Sequence, residues 1–225
     1  MIEKKKKKGF FGFGEVENLE SCNLVFRPVI KTKVKLNKKT LFGTKIDEFE
    51  IYFDGLSGEI MQFDGERFRH YNGFSNLIDL TEREISIVKE LIENKKPMTN
   101  ADIAFKLQLT DNFVSKSMNT LMDKKLVSYI GKSSRAYLWQ PIVELKLPKL
   151  NHIASSNVIV DETAVDAKHT ESNIAVDNLA KTIRAWYSAA LVEASTIYYP
   201  VYNIRLFSDK SKREISISAV DGRII

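Results

Sequence analysis

The sequence predicts an α+β chain in which a central segment of three helices and a hairpin is flanked by two small β-rich units. Three observations predict it. Between Leu24 and Met61, and again from Tyr198 to Ile225, apolar residues alternate with polar ones at the two-residue period of a half-buried strand. From Leu80 to Pro141 the apolar period lengthens to that of helices, and three cap signals divide the stretch. A chain of 225 residues that is 44% hydrophobic can also bury enough surface for more than one unit, which excludes wholesale disorder.

The first β-rich unit begins with Val25, Phe26, Val29 and Ile30 and continues as Thr32, Val34 and Leu36 alternating with Lys31, Lys33 and Lys35. That is a strand with one lysine-bearing face, and a polar loop is expected after it. Phe49, Ile51 and Phe53 then alternate with Glu50, Tyr52 and Asp54, up to the turn signal Asp54-Gly55-Leu56-Ser57-Gly58.

The second unit has the same design. A helix is expected over about 174 to 194, where Leu179, Ile183, Trp186 and Leu191 recur at helical spacing. Two strands and an Asp-Gly turn, Asp221-Gly222, follow it. Pro28-Val29 matches Pro200-Val201 at an offset of 172 positions, and Gly58 matches Gly222 at 164, so the second loop is eight residues shorter. True duplication and chance similarity both account for this at the level of sequence. The helix, two strands and turn resemble a PepSY-type α+β module, with Ser218 where that family has Asp. Residues 146–172 show no sustained period and read as a linker with a short strand at Val158 to Val160.

In the central segment Thr81 with Glu84 forms a capping box, and Ile85, Val88 and Leu91 share a stripe that ends before Pro97. Thr99 caps a short second helix and Thr110 a third, in which Val114, Met118 and Leu121 share a face. Leu126 to Ile130 and Arg135 to Trp139 read as strands around a polar turn. This order is a winged helix-turn-helix. The run Leu109 to Val127, with its cap, exposed triplet, Val-Ser-Lys and Lys-Lys-Leu-Val ending, resembles the recognition helix of MarR-type regulators; Lys125 stands where that family has Gly, a position that needs a left-handed backbone. The predicted fold class is therefore α+β, a winged helix-turn-helix flanked by two small β-rich units that are open to being one duplicated α+β module. The boundaries are a basic tail and β-rich unit over 1–75, the winged helix over 76–145, the linker over 146–172, and a helix with a β-hairpin over 173–225 that packs on 15–75 in the duplicated reading.

The resemblance implies a DNA-binding protein, a transcriptional regulator or DNA-associated accessory factor. Asn112, Ser115, Lys116 and Asn119 would then face the major groove, while Lys132 and Arg135 on the wing contact phosphate or the minor groove. Asp111 counts against this, since it would repel a phosphate. The alternative is a noncatalytic assembly factor whose winged helix docks a protein. Double-stranded DNA is the expected partner, with a protein partner or a homodimer through the β-rich units as the other.

Other chemistry is thinly represented. The net charge of +5 comes from 34 basic and 29 acidic residues, and the run Lys4 to Lys8 reads as a solvated tail before it reads as a phosphate contact. Phe10, Phe11 and Phe13, interleaved with Gly, read as an anchor onto the body of the protein rather than a base-stacking platform. His70, His152 and His169 lack metal-ligand spacing, Cys22 is the single cysteine, and no phosphate loop or dinucleotide fingerprint is present. No enzyme activity, metal or cofactor is expected. One cysteine and no apolar run of about 18 residues point to a cytoplasmic protein without a membrane span.

Overall fold

The computed structural model describes residues 17–41, 43–63, 68–133, 136–142, 145, 147–152, 169–208, 211–219, 222 and 224. Of these, 48% lie in strands and 29% in helices. The fold class is thereby corrected. The protein is dominated by one antiparallel sheet that curls into a half-barrel, and is not a helix-rich winged helix with small β units at its sides.

The sheet is built on two long strands. β1 (Asn18–Thr40) pairs along its later half with β2 (Gly43–Asp54), and then β3 (Ile60–Phe63) and β4 (Phe68–Tyr71) extend that edge. Along almost its whole length β1 pairs on the other side with β8 (Ala190–Phe207), which pairs with β9 (Lys212–Ser218). The resulting order is β4-β3-β2-β1-β8-β9. Alternation shows that a segment is a strand but not which strand it meets, so the union of residues separated by about 170 positions was not legible as periodicity.

Two element boundaries differ from expectation. Asn37 to Thr40, expected as loop, continue β1 in register with Gly43 to Ile46, and Lys38 reaches across the hairpin to the Asp47 carboxylate at 2.7 Å, which Lys45 of β2 itself also holds at 3.0 Å. The helix expected over 174 to 194 is α4 (Val176–Tyr187); Ser188 ends it in the left-handed conformation at φ 56°, and Ala190 to Ala194 turn into β8. Leu191, read as part of the helical stripe, sits opposite Val34 in the sheet. Part of the expected linker is core: Leu150 is buried in a short 3-10 turn, while the strand expected at Val158 to Val160 lies outside the described residues.

Arg27 stands opposite Tyr199 in the β1–β8 register. A two-fold axis through that pair carries each β1 residue onto the one 172 positions later, so Pro28 and Pro200 are equivalent, as are Val29 and Val201. The turns obey the same relation. Gly55 N donates to Pro28 O at 2.8 Å and Ala219 N to Pro200 O at 3.0 Å, while Gly58 N donates to Asp54 O at 2.7 Å and Gly222 N to Ser218 O at 2.9 Å. Phe53 pairs with Ile60, and Ile217 bridges Ile224. Even the side chains correspond, since Arg27 donates to Asp54 at 3.1 Å and the Tyr199 hydroxyl bonds the Ser218 hydroxyl. What repeats is two strands and a turn. Helix α4, counted by sequence in the second module, packs instead on the first half, where Leu179 and Ile183 join Ile30, Val34, Ile51 and Phe53 in one core.

Candidate nucleic-acid interface

The helical unit begins with α1 (Glu82–Asn94), whose Thr81–Glu84 capping box is complete, and which ends at Lys95 with φ 57°. β5 (Met98–Thr99), a two-residue strand not foreseen, holds α2 (Asn100–Leu107) to the hairpin by pairing Met98 with Trp139. Thr99 and Asp102 form a second capping box, and the bonds that Thr99 donates hold the Asp102 carboxyl below its ordinary pKa. Gln108 turns the chain with φ 54°, Leu109 N donates to Ala104 O at 2.9 Å, and Thr110 caps α3 (Asp111–Asp123). Lys125, in the place where Gly was expected, takes the left-handed conformation at φ 57°. β6 (Val127–Ser133) and β7 (Ala136–Pro141) complete the unit as a hairpin.

The core decides which face of α3 is free. Val114, Met118 and Leu121 are fully buried with Leu91, Ile103 and Leu126. Asn112, Ser115, Lys116 and Asn119, spaced so as to stack along one helix face, are therefore exposed, with Asp111 beside them in the first turn. No hydrogen bond or ion pair within the described residues engages these side chains. Amide, hydroxyl and ammonium groups in that row can donate to phosphate oxygens and read base edges.

The structure brings those four residues together and sets Lys132 apart, on β6, with its ammonium 5.0 Å from the centre of the Tyr137 ring. Arg135 lies outside the described residues, as do Lys4 to Lys8 and the Phe10, Phe11 and Phe13 group. Sequence reasoning missed the aromatic character of the hairpin. Tyr129 and Tyr137 are 45% and 50% exposed and meet edge to face at 5.2 Å, and Phe105 on α2 is 86% exposed. The signal was present, because Tyr129, Tyr137 and Trp139 all fall on one face of the β6–β7 register.

The sheet lysines make a poor polyanion surface by comparison. Lys31 pairs with Glu50 at 3.1 Å, and Lys33 and Lys35 both pair with Glu48, at 2.9 and 3.0 Å. Two carboxylates thus offset most of the charge of the three lysines across the β1–β2 register. A shallow depression of about 530 Å³ on β1, β8 and β9 holds Asn203, Arg205, Glu214 and Ser216, but Arg205 is paired with Glu214 and the Ser216 hydroxyl donates to Asn203 at 2.9 Å. Among the described residues no group of His, Cys, Asp and Glu could hold a metal ion, and no helix is long and apolar enough to cross a membrane. Comparison of the chain with family models, curated proteins and solved structures finds no match.

Proposed function

We propose that this protein binds double-stranded DNA through the exposed face of α3, with the β6–β7 hairpin as a second contact, and acts as a transcriptional regulator or DNA-associated accessory factor in the cytoplasm. The observation that carries the reading is the row Asn112, Ser115, Lys116 and Asn119, exposed on a helix whose opposite face is locked into the core. Side chains so placed cost no protein contacts when they turn to a ligand. The lysines of the sheet are already matched with carboxylates, so α3 offers the clearer polyanion contact. The likeness of residues 109–127 to MarR-type recognition helices supports the same use. Titration of a labelled duplex at several salt concentrations tests it, since phosphate contacts make log affinity fall linearly with log salt.

A second reading has its own observation. Phe105, at 86% exposure, is an apolar side chain that DNA does not reward, and with Tyr129 and Tyr137 it suits docking of a protein partner. Binding of duplex that is absent at low salt would favour this reading.

A further inference from the structure

A cavity of about 580 Å³ opens where the helical unit meets the sheet, walled by β1, β2, α1, α4 and the segment Leu147 to Leu150. That is the size of a small-molecule pocket. Leu36 and Phe49 from the sheet, Ile92 from α1, Trp186 from α4 and Leu147 from the connecting segment line it, and all five are half-buried. Each packs against one of the two cores, Leu147 against both, and keeps apolar surface for the cavity. Two hydrogen bonds hold the walls together. Lys89 Nζ on α1 donates to Trp186 O at 3.1 Å, and the Tyr187 hydroxyl donates to Pro148 O at 3.0 Å. A ligand therefore meets walls that are already in place and spends little on ordering them.

The charges around this apolar lining are unequal. Lys38 is matched by Asp47 at 2.7 Å. Lys89 has committed one of its three donors to Trp186 O, and Lys149, which is exposed, engages no hydrogen bond or ion pair among the described residues. Against these two ammonium groups the lining offers one carboxylate, Glu93. One positive charge is left over beside an apolar wall. We infer that the cavity binds an amphipathic monocarboxylate of the medium-chain fatty-acid class, its tail against Leu36, Phe49, Ile92, Leu147 and Trp186 and its carboxylate at Lys149 and Lys89. Charge complementarity selects this occupant. A multiply charged anion would find a single uncompensated charge and nothing for it in the apolar wall, while a neutral hydrocarbon would leave the spare ammonium donors unmatched. The site uses none of the α3 row, so it stands or falls independently of DNA binding.

Isoleucine δ1-methyl spectra of the full chain, titrated with octanoate below its micelle-forming concentration, test the inference. Ile92 lines the cavity, while Ile217 on β9 lies three strands from β2 and serves as the remote control. Octanoate should shift Ile92 saturably and leave Ile217 in place. Octanol and octyltrimethylammonium, with the same tail and a neutral or cationic head, should need higher concentrations. Lys149→Glu should raise the octanoate midpoint about fivefold, the scale of an exposed charge pair, and leave the octanol midpoint unchanged. Should that reversal disturb the wild-type spectrum, Lys149→Gln removes the charge more mildly and should move the octanoate midpoint in the same direction. An Ile92 signal that octanoate leaves in place, or that shifts together with Ile217, would overturn the site. Equal midpoints for the three head groups, or an octanoate midpoint indifferent to both Lys149 variants, would overturn the assignment of a carboxylate ligand.

Discussion

Asp54 shows how much a single side chain organises here. Its Oδ1 accepts from the backbone N–H groups of Leu56 and Ser57 at 2.8 and 2.9 Å, and its Oδ2 accepts from Arg27 at 3.1 Å. Asp54 thus ties a turn to the centre of the two-fold, while its counterpart Ser218 does so through a hydroxyl. Asp54→Ala should cost about 1 to 3 kcal/mol, since it strands a part-buried guanidinium and two turn donors. Chemical denaturation checks it, and an unchanged midpoint would show that the turn holds itself. Gly55 is fixed by crowding, for a Cβ there would stand 2.8 Å from both the oxygen and the Cβ of Pro28. In the helical unit, Leu121 is fully buried among Val114, Met118 and Leu91, so Leu121→Ala should cost about 2 to 5 kcal/mol in the same measurement.

Among elements, the β1–β2 hairpin carries the clearest pH dependence. Hydrogen bonds from Lys33 and Lys35 hold the Glu48 carboxyl below its ordinary pKa, and those from Lys38 and Lys45 do the same for Asp47. A carboxylate whose folded pKa is depressed contributes stability above its unfolded pKa of about 4, and that contribution is lost as pH falls through the lowered folded value. Glu48 is exposed and Asp47 half-buried at the surface of the hairpin, where solvent screens both, so the effect is small. Wild type should therefore lose more of its denaturation midpoint than Glu48→Gln between neutral pH and about pH 2, and equal losses would contradict the assignment. The caps behaved as sequence patterns foretell: Thr81, Thr99 and Thr110 each begin a helix, the first two with an acidic capping-box partner, because cap and first turn are local in the chain. Helix α4 was misjudged at its end for the opposite reason. Ala190 and Leu191 fit a helical stripe locally, and only the non-local pairing with β1 draws them into a strand.

For the whole molecule, the legible part of the sequence was the part that folds on local signals. The three helices and the hairpin of residues 82–141 follow from caps and apolar periods, and the outward row on α3 follows from the burial of Val114, Met118 and Leu121. The sheet was legible only as fragments. Matched Pro-Val and Gly-turn elements hinted at the two-fold, yet the pairing of β1 with β8 joins residues separated by most of the chain, which no period records. The proposed contact of α3 with duplex DNA is tested most directly by affinity for a duplex against salt for wild type, Lys116→Ala and Asp111→Asn. Wild type should show a linear loss of log affinity with log salt; Lys116→Ala should lower that slope by about 1, and Asp111→Asn should bind more tightly at low salt by removing a repelling carboxylate. Three proteins with equal affinity and equal slope would contradict the claim and leave the exposed aromatics of α2 and the hairpin as a docking surface for protein.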